Sequence, residues 1–221
     1  MTYDYGNWLL VFGISTIFLL FLFDAFKPKT PTDWRTFGSL AAFIVALFAE
    51  MYGFPLTIYL VTAWFGAKLP QLNVSHSSGH LWEVLLGNTG DPHISILHII
   101  SNVSLVGGIL LIGTAWKVLY AAVKNATIAT TGPYRYIRHP QYMGFIFIII
   151  GFLLQWPTIP TLLMAPLLIG RYVVLAKREE QRIGKEHAVQ YNRYRHTTPG
   201  WFPSVPLLLS GILGHRNIYG K

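Results

Sequence analysis

Residues 141–176 read QYMGFIFIIIGFLLQWPTIPTLLMAPLLIGRYVVLA, with Arg171 as the one charged side chain. Two apolar runs, about Gln141–Gln155 and Thr158–Ala176, are joined only by Trp156-Pro157. That spacing predicts a tight antiparallel pair of helices, because runs of this length exceed any ordinary strand. Working outward, three further apolar runs precede the pair, at about Asn7–Phe23, Phe37–Gly66 and Ile94–Tyr120. The 30-residue run Phe37–Gly66 is long for a single span of about 20 residues. It contains Glu50 and Pro55 and is predicted as one long helix kinked near the proline. The expected fold is therefore an all-α integral membrane protein with about five transmembrane helices.

Composition supports the same class. The 221 residues are 52% hydrophobic and 12% charged, and the mean hydropathy is +0.44. A soluble domain carries about 25% charged residues, and a disordered chain lacks this much apolar surface. With no cysteine, disulfides, thiolate metal sites and thiol nucleophiles are excluded. The first run is not expected to be a signal peptide, since no Lys or Arg precedes it.

The excess of 17 Lys and Arg over 9 Asp and Glu does not indicate nucleic acid. Sixteen of the basic residues follow span 1, follow span 3 or lie from Arg171 onward, and Lys68 alone falls in the alternate compartment. This distribution predicts an outside N-terminus and a cytoplasmic C-terminus. The bilayer and its anionic headgroups account for the charge.

The outer loop Leu69–Pro92 holds His76 and His80, and His93 follows it at the start of span 3 with His98. Gly79 and its serines oppose a helix that would align His76 with His80. His76, His80 and His93 are expected to be solvated loop residues, and no metal site is expected. A haem pair would need matched histidines on a second span, and there are none. On the cytoplasmic side, Lys177–Arg195 is predicted as one amphipathic helix with Ile183, His187, Tyr191 and Tyr194 on one face. Leu207–Leu213, beyond Pro203 and Pro206, is too short to span and is expected to lie in the interface.

The polar chemistry concentrates in Thr131–Gly144. Gly132-Pro133 and His139-Pro140 fix turns. Arg138 and His139 suit a carboxylate, and Tyr134 and Tyr142 suit a cation or a purine. Glu179 and Glu180 either pair with Arg138, Arg171 or Arg178, or hold the amine or ribose of a charged cofactor. Glu50 is the one ionisable residue deep in an apolar run, which makes it a functional candidate; the plainer reading is packing beside a buried Tyr or Arg.

At these residues the chain resembles the isoprenylcysteine carboxyl methyltransferase family and the related phospholipid methyltransferases. The resemblance rests on Gly132-Pro133-Tyr134, Arg138-His139-Pro140-Gln141-Tyr142-Met143-Gly144, Glu179-Glu180, Tyr191-Asn192-Arg193-Tyr194 and Pro203, in order over the last hundred or so residues. It departs at Gly184–Val189, where such proteins often carry Phe-Gly.

The resemblance implies S-adenosylmethionine as cofactor, held by Tyr134, Arg138, His139, Pro140, Tyr142, Gly144, Glu179 and Glu180. Glu50 would act as base for an amine acceptor and Arg171 would orient an anionic one. It implies one membrane domain: 1–120 forms the substrate-side half, 121–203 the cofactor half and 204–221 an interfacial tail. The expected acceptor is lipophilic or a lipid, with no nucleic-acid partner, and the oligomeric state stays open. Five spans and a short N-terminal segment suggest a prokaryotic inner membrane. Two other readings stand beside it: an NADPH-dependent reductase of the sterol reductase type, and a non-catalytic membrane scaffold.

Overall fold

The computed structural model describes residues 5–68, 73–88 and 90–205, apart from the side chains of residues 76 and 77. His76 and the tail from Pro206 onward, with its expected interfacial stretch Leu207–Leu213, lie outside the described side chains and residues. Among the described residues there are eight α-helices and no strand: α1 Trp8–Phe26, α2 Pro31–Phe48, α3 Leu56–Phe65, α4 Leu81–Leu85, α5 Ile96–Lys124, α6 Pro140–Gln155, α7 Ile159–Glu186 and α8 Ala188–Thr197. The all-helical expectation holds.

Four stretches are long and apolar enough to cross a membrane: α1, Pro31–Gly53, α5 and α7. The fifth expected span corresponds to α6, whose 16 residues rise only about 24 Å against a hydrocarbon core of about 30 Å. The expectation of about five is thereby corrected to four among the described residues.

Local chemistry sets the helix ends. Asn7 caps α1 by accepting from Leu10 N–H at 3.1 Å. Thr30 and Asp33 form a capping box at the start of α2, with Pro31 at its first position. Helix α2 runs on into a π-helical turn, Ala49–Gly53. Phe54 is then extended (φ −114°, ψ 109°), the conformation a residue before proline is pushed into. The run Phe37–Gly66 is therefore not one kinked helix; the chain leaves the helix at Phe54-Pro55 and starts α3 afresh. A second correction concerns Lys177–Arg195. Helix α7 continues through this stretch to Glu186, His187 breaks it with φ −134° and ψ 48°, and α8 follows. The break falls inside the segment that departs from the family pattern.

Two compact units divide the chain. Unit 1 comprises 1–109 and 145–171, and unit 2 comprises 110–144 and 172–221. Unit 1 is held by aromatic clusters and by close helix contact. Phe18 meets Phe48 and Phe152 edge-on, and Phe26 packs edge-on against Phe145 at 5.2 Å. At Gly151 a Cβ would lie 2.9 Å from Leu105, so only glycine allows α5 and α6 to meet there. The Ser101 hydroxyl fastens the same crossing by donating to Gly151 O at 2.8 Å. In unit 2, Gly132 takes φ +57°, a left-handed conformation that turns the chain into the motif segment.

Candidate functional site

Unit 2 encloses a cavity of about 390 Å³, within the range of small-molecule sites. Its polar wall includes Tyr134, Arg138, His139, Gln141, Glu179 and Glu180, with Arg182 and Glu186 also on the lining; its apolar wall includes Leu119, Val123, Ile128 and Ile183. Two local features place the polar set. The Thr131–Pro140 turn presents Tyr134, Arg138 and His139, with Pro140 as the first residue of α6. Opposite them, Glu179 and Glu180 sit in the last turns of α7, which the sequence motif marks.

Glu180 is the hub. Its Oε1 accepts from Arg138 Nε at 2.9 Å and from His139 Nε2 at 2.8 Å. Arg138 also donates through Nη1 to Thr198 O at 2.6 Å and to Arg195 O at 3.3 Å. The backbone N–H groups of Arg138 and His139 donate to Pro199 O at 2.9 Å and Gly200 O at 3.2 Å. The guanidinium therefore straps α7 to the turn after α8. Of the expected outcomes for the carboxylate pair, the ion pair with Arg138 is realised at Glu180.

Glu179 has a different partner set. Tyr142 donates to its Oε1 at 2.7 Å and Gln141 Nε2 to its Oε2 at 3.2 Å. Gln141 accepts in turn from the Tyr134 hydroxyl at 2.9 Å, and Tyr134 O accepts from the Tyr194 hydroxyl at 2.7 Å. The buried Tyr142 ring stacks on Tyr172 at 5.9 Å, and the Trp201 ring lies 5.3 Å from His139. Gly144, one turn into α6, is buried.

Burial lowers the His139 pKa below its ordinary value, while the Glu180 hydrogen bond pulls the other way. A neutral His139 must donate through Nε2, because the facing atom is a carboxylate oxygen. Burial also pushes the Tyr134 phenol well above its ordinary range, with the Glu179 charge adding to it. Tyr191 is pushed up to about 12, first by burial and then by the Glu180 charge. Both phenols thus stay protonated at neutral pH.

Eight motif residues were expected at this site, and the structure gathers six in the cavity region: Tyr134, Arg138, His139, Tyr142, Glu179 and Glu180, with Pro140 and Gly144 shaping α6 beneath them. Gln141, His187, Tyr191 and Tyr194 also line the cavity. They stood in the motif or on the predicted face, yet were not assigned to binding. The Thr127–Ala129 wall carries no sequence signal.

Glu50 and Arg171 belong to unit 1. Glu50 is buried at 6% exposure, and its two oxygens accept from Thr57 N–H at 2.9 Å and Thr57 Oγ1 at 3.1 Å. Its hydrogen-bond partner is thus a threonine at the start of α3, and the half-buried Tyr5 phenol lies within electrostatic reach of its charge, in keeping with the packing reading. Thr57 Oγ1 accepts in turn from Ile159 N–H at 2.8 Å, which ties α3 to the start of α7. Arg171 is exposed.

Helices of crossing length mark an integral membrane protein, and the carboxylate-lined cavity has the size of a small-molecule pocket. Residues 94–187 match the Isoprenylcysteine carboxyl methyltransferase (ICMT) family. The matched segment includes the whole of Thr131–Gly144 and the Glu179-Glu180 pair. No curated protein and no solved structure matches the chain.

Proposed function

We propose that the protein is a membrane methyltransferase that uses S-adenosylmethionine and methylates a lipophilic acceptor at the membrane–cytosol interface. The observation that carries this reading is the unit 2 cavity, where the Glu179 and Glu180 carboxylates, the Tyr134 hydroxyl and the His139 imidazole line one site within the matched segment. When bound, the cofactor supplies an electrophilic methyl on a sulfonium. The residues present fit such a group. Glu179 and Glu180 suit its amine and ribose hydroxyls, and the ring faces of Tyr134 and Tyr191 suit its cationic and purine parts. Arg138 already spends Nε and Nη1 on Glu180 and backbone carbonyls. Its role in this reading is to hold Glu180 and the 195–200 turn in place, so the cofactor carboxylate falls to neighbouring N–H donors. Positioning and water exclusion by these walls would supply much of the rate.

A second, more open cleft of unit 2 has a volume of about 900 Å³ and shares Thr127–Ala129 and Tyr194 with the first. It is mainly apolar, with Lys117 and Arg193 on its lining. This suits a lipophilic acceptor with an anionic or polar head. Glu50 remains the proposed base for an amine acceptor, although proton uptake there would break its Thr57 clasp. Arg171 remains the proposed orienting group for an anionic one.

The test is calorimetric titration of S-adenosylmethionine and S-adenosylhomocysteine into the detergent-purified protein, beside His139→Ala and Glu180→Ala. Saturable wild-type binding that both substitutions abolish is expected, followed by label transfer from the methyl donor in an acceptor screen. A folded wild type that binds neither compound but retains NADPH would turn the assignment to a reductase. One that binds none of the three would favour the scaffold.

A further inference from the structure

A second polar cluster lies in unit 1 and shares no residue with the proposed methyl-transfer site. The expectation of a solvated loop histidine is overturned for His80, which is 4% exposed; His98, on α5, is also buried at 8%. His93, on the short turn Pro92–Ile94, is exposed and completes a triangle of rings. The ring centroids are 5.0 Å apart for His80–His93, 5.1 Å for His93–His98 and 5.8 Å for His80–His98. Three imidazoles bound tetrahedrally at about 2.0–2.1 Å per nitrogen place their ring centres about 5 Å apart. The triangle has those dimensions.

Hydrogen bonding prepares two of the rings. His80 Nδ1 donates to Gln155 O at 3.0 Å, which fixes the tautomer and makes Nε2 the basic nitrogen. A backbone carbonyl on the second ring nitrogen is the usual support of a metal-bound histidine. His98 Nε2 lies 3.1 Å from the Gln155 side-chain amide, while its buried Nδ1 has no hydrogen-bond partner. As placed, the Gln155 amide nitrogen faces His98 Nε2 and the amide oxygen accepts from Ser101 Oγ at 3.2 Å; turning that amide over would let Nε2–H donate to its oxygen and make Nδ1 the basic nitrogen. Ser101 Oγ also reaches Gly151 O, at 2.8 Å, so its proton keeps that partner while its oxygen accepts from the turned amide. A carboxylate completes the donor set: Glu83 lines the same small cleft as His80 and His98. Its Oε2 accepts from Asn88 at 2.6 Å and the Ser95 side chain also interacts with the carboxyl group, while Oε1 is buried with no partner in good hydrogen-bond geometry.

From this juxtaposition we propose that His80, His93 and His98, with Glu83 as fourth donor, form a binding site for a divalent transition-metal ion of the zinc type. Imidazole and carboxylate donors without thiolate suit that class. Among the described residues no such group already points its donor atoms at one centre. Binding therefore requires the exposed His93 ring and the Gln155 amide to turn, while His80 keeps its bond to Gln155 O. The ion would pin the loop carrying α4 to the start of α5 and, through Gln155, to the end of α6. That is a structural role, independent of the methyl donor.

The experiment uses the full-length, tag-free protein in detergent, stripped with chelator and titrated with Zn²⁺, and separately with Co²⁺ as a spectroscopic probe. One ion per chain is expected, with the intense visible absorption of four-coordinate Co²⁺ and a raised Tm. His93→Ala and His98→Gln should each weaken Zn²⁺ binding about tenfold or more and remove the Tm gain. His93→Ala should leave methyl-donor binding unchanged, which shows that the protein is folded. Wild-type protein without saturable binding would overturn the site. So would unchanged Zn²⁺ affinity in folded His93→Ala and His98→Gln proteins.

Discussion

Both units bury histidine beside a carboxylate, and they satisfy it differently. In unit 2, His139 and Arg138 converge on one oxygen of Glu180, and Arg138 spends its other bonds on backbone carbonyls. In unit 1, His98 and Glu83 each keep a buried polar atom with no partner in good hydrogen-bond geometry. Leaving such an atom unpaired in a protein interior costs about 1–3 kcal/mol. A site closed by its own protein groups is a frame, against which a ligand can be oriented. A site left open by them has donor capacity for something the chain does not supply.

The contrast can be broken most severely at the hub. Glu180→Ala should cost about 1–3 kcal/mol of stability, because it strands the Arg138 and His139 donors. Methyl-donor binding should fall below detection in the calorimeter. Near-wild-type donor affinity in this variant would show that the frame is not the cofactor wall. Glu50→Gln should cost about 1 kcal/mol through the weakened Thr57 clasp, with donor affinity unchanged. A loss of methyl transfer far beyond the loss of stability would instead mark Glu50 as the base.

A smaller effect separates the two carboxylates of the pair. Tyr142→Phe removes one hydrogen bond to Glu179 and keeps the stack on Tyr172. About 0.5–1.5 kcal/mol and at most a tenfold change in donor affinity are expected. Chemical denaturation and calorimetry together check it.

Protonation probes the same frame. Since the His139 pKa is lowered by folding, the neutral form belongs to the folded state. Its contribution is fully present above the unfolded value of about 6.5 and is lost as pH falls through the lowered folded value. Tm should therefore drop as pH is taken from 7.5 towards 5. His139→Gln should flatten that part of the profile, and an unchanged profile would remove His139 from the account. The smallest effect is expected at Gly184→Ala. The added Cβ would sit 3.5 Å from the Tyr191 ring, an ordinary contact, so helix propensity should stabilise α7 by up to about 1 kcal/mol.

Particular residues show how far the sequence could be read. Tyr134, Arg138, His139, Glu179 and Glu180 were legible because turn-forming pairs and a carboxylate doublet stand out from apolar surroundings. Their pairing was not. Whether Glu180 would face Arg138, Arg171 or Arg178 depends on the depth at which α7 passes the Thr131–Pro140 turn, and no local signal encodes that. The break at His187 was missed because the periodicity of Ile183, His187, Tyr191 and Tyr194 continues across it. The histidine triangle was missed for a related reason: residues 80, 93 and 98 share no face or spacing until the loop folds back on α5.

The sequence by itself determined the helical class, the positions of the apolar segments and the polar segment that carries the chemistry. These follow from local hydrophobicity and turn propensity, which act over a few residues. The tertiary structure alone decided that the 37–66 run divides at Phe54-Pro55, that Glu180 gathers Arg138 and His139, and that three histidines meet in unit 1. Each depends on groups 13 or more residues apart in the chain or on a choice between helix and break, and only packing of the whole unit settles those.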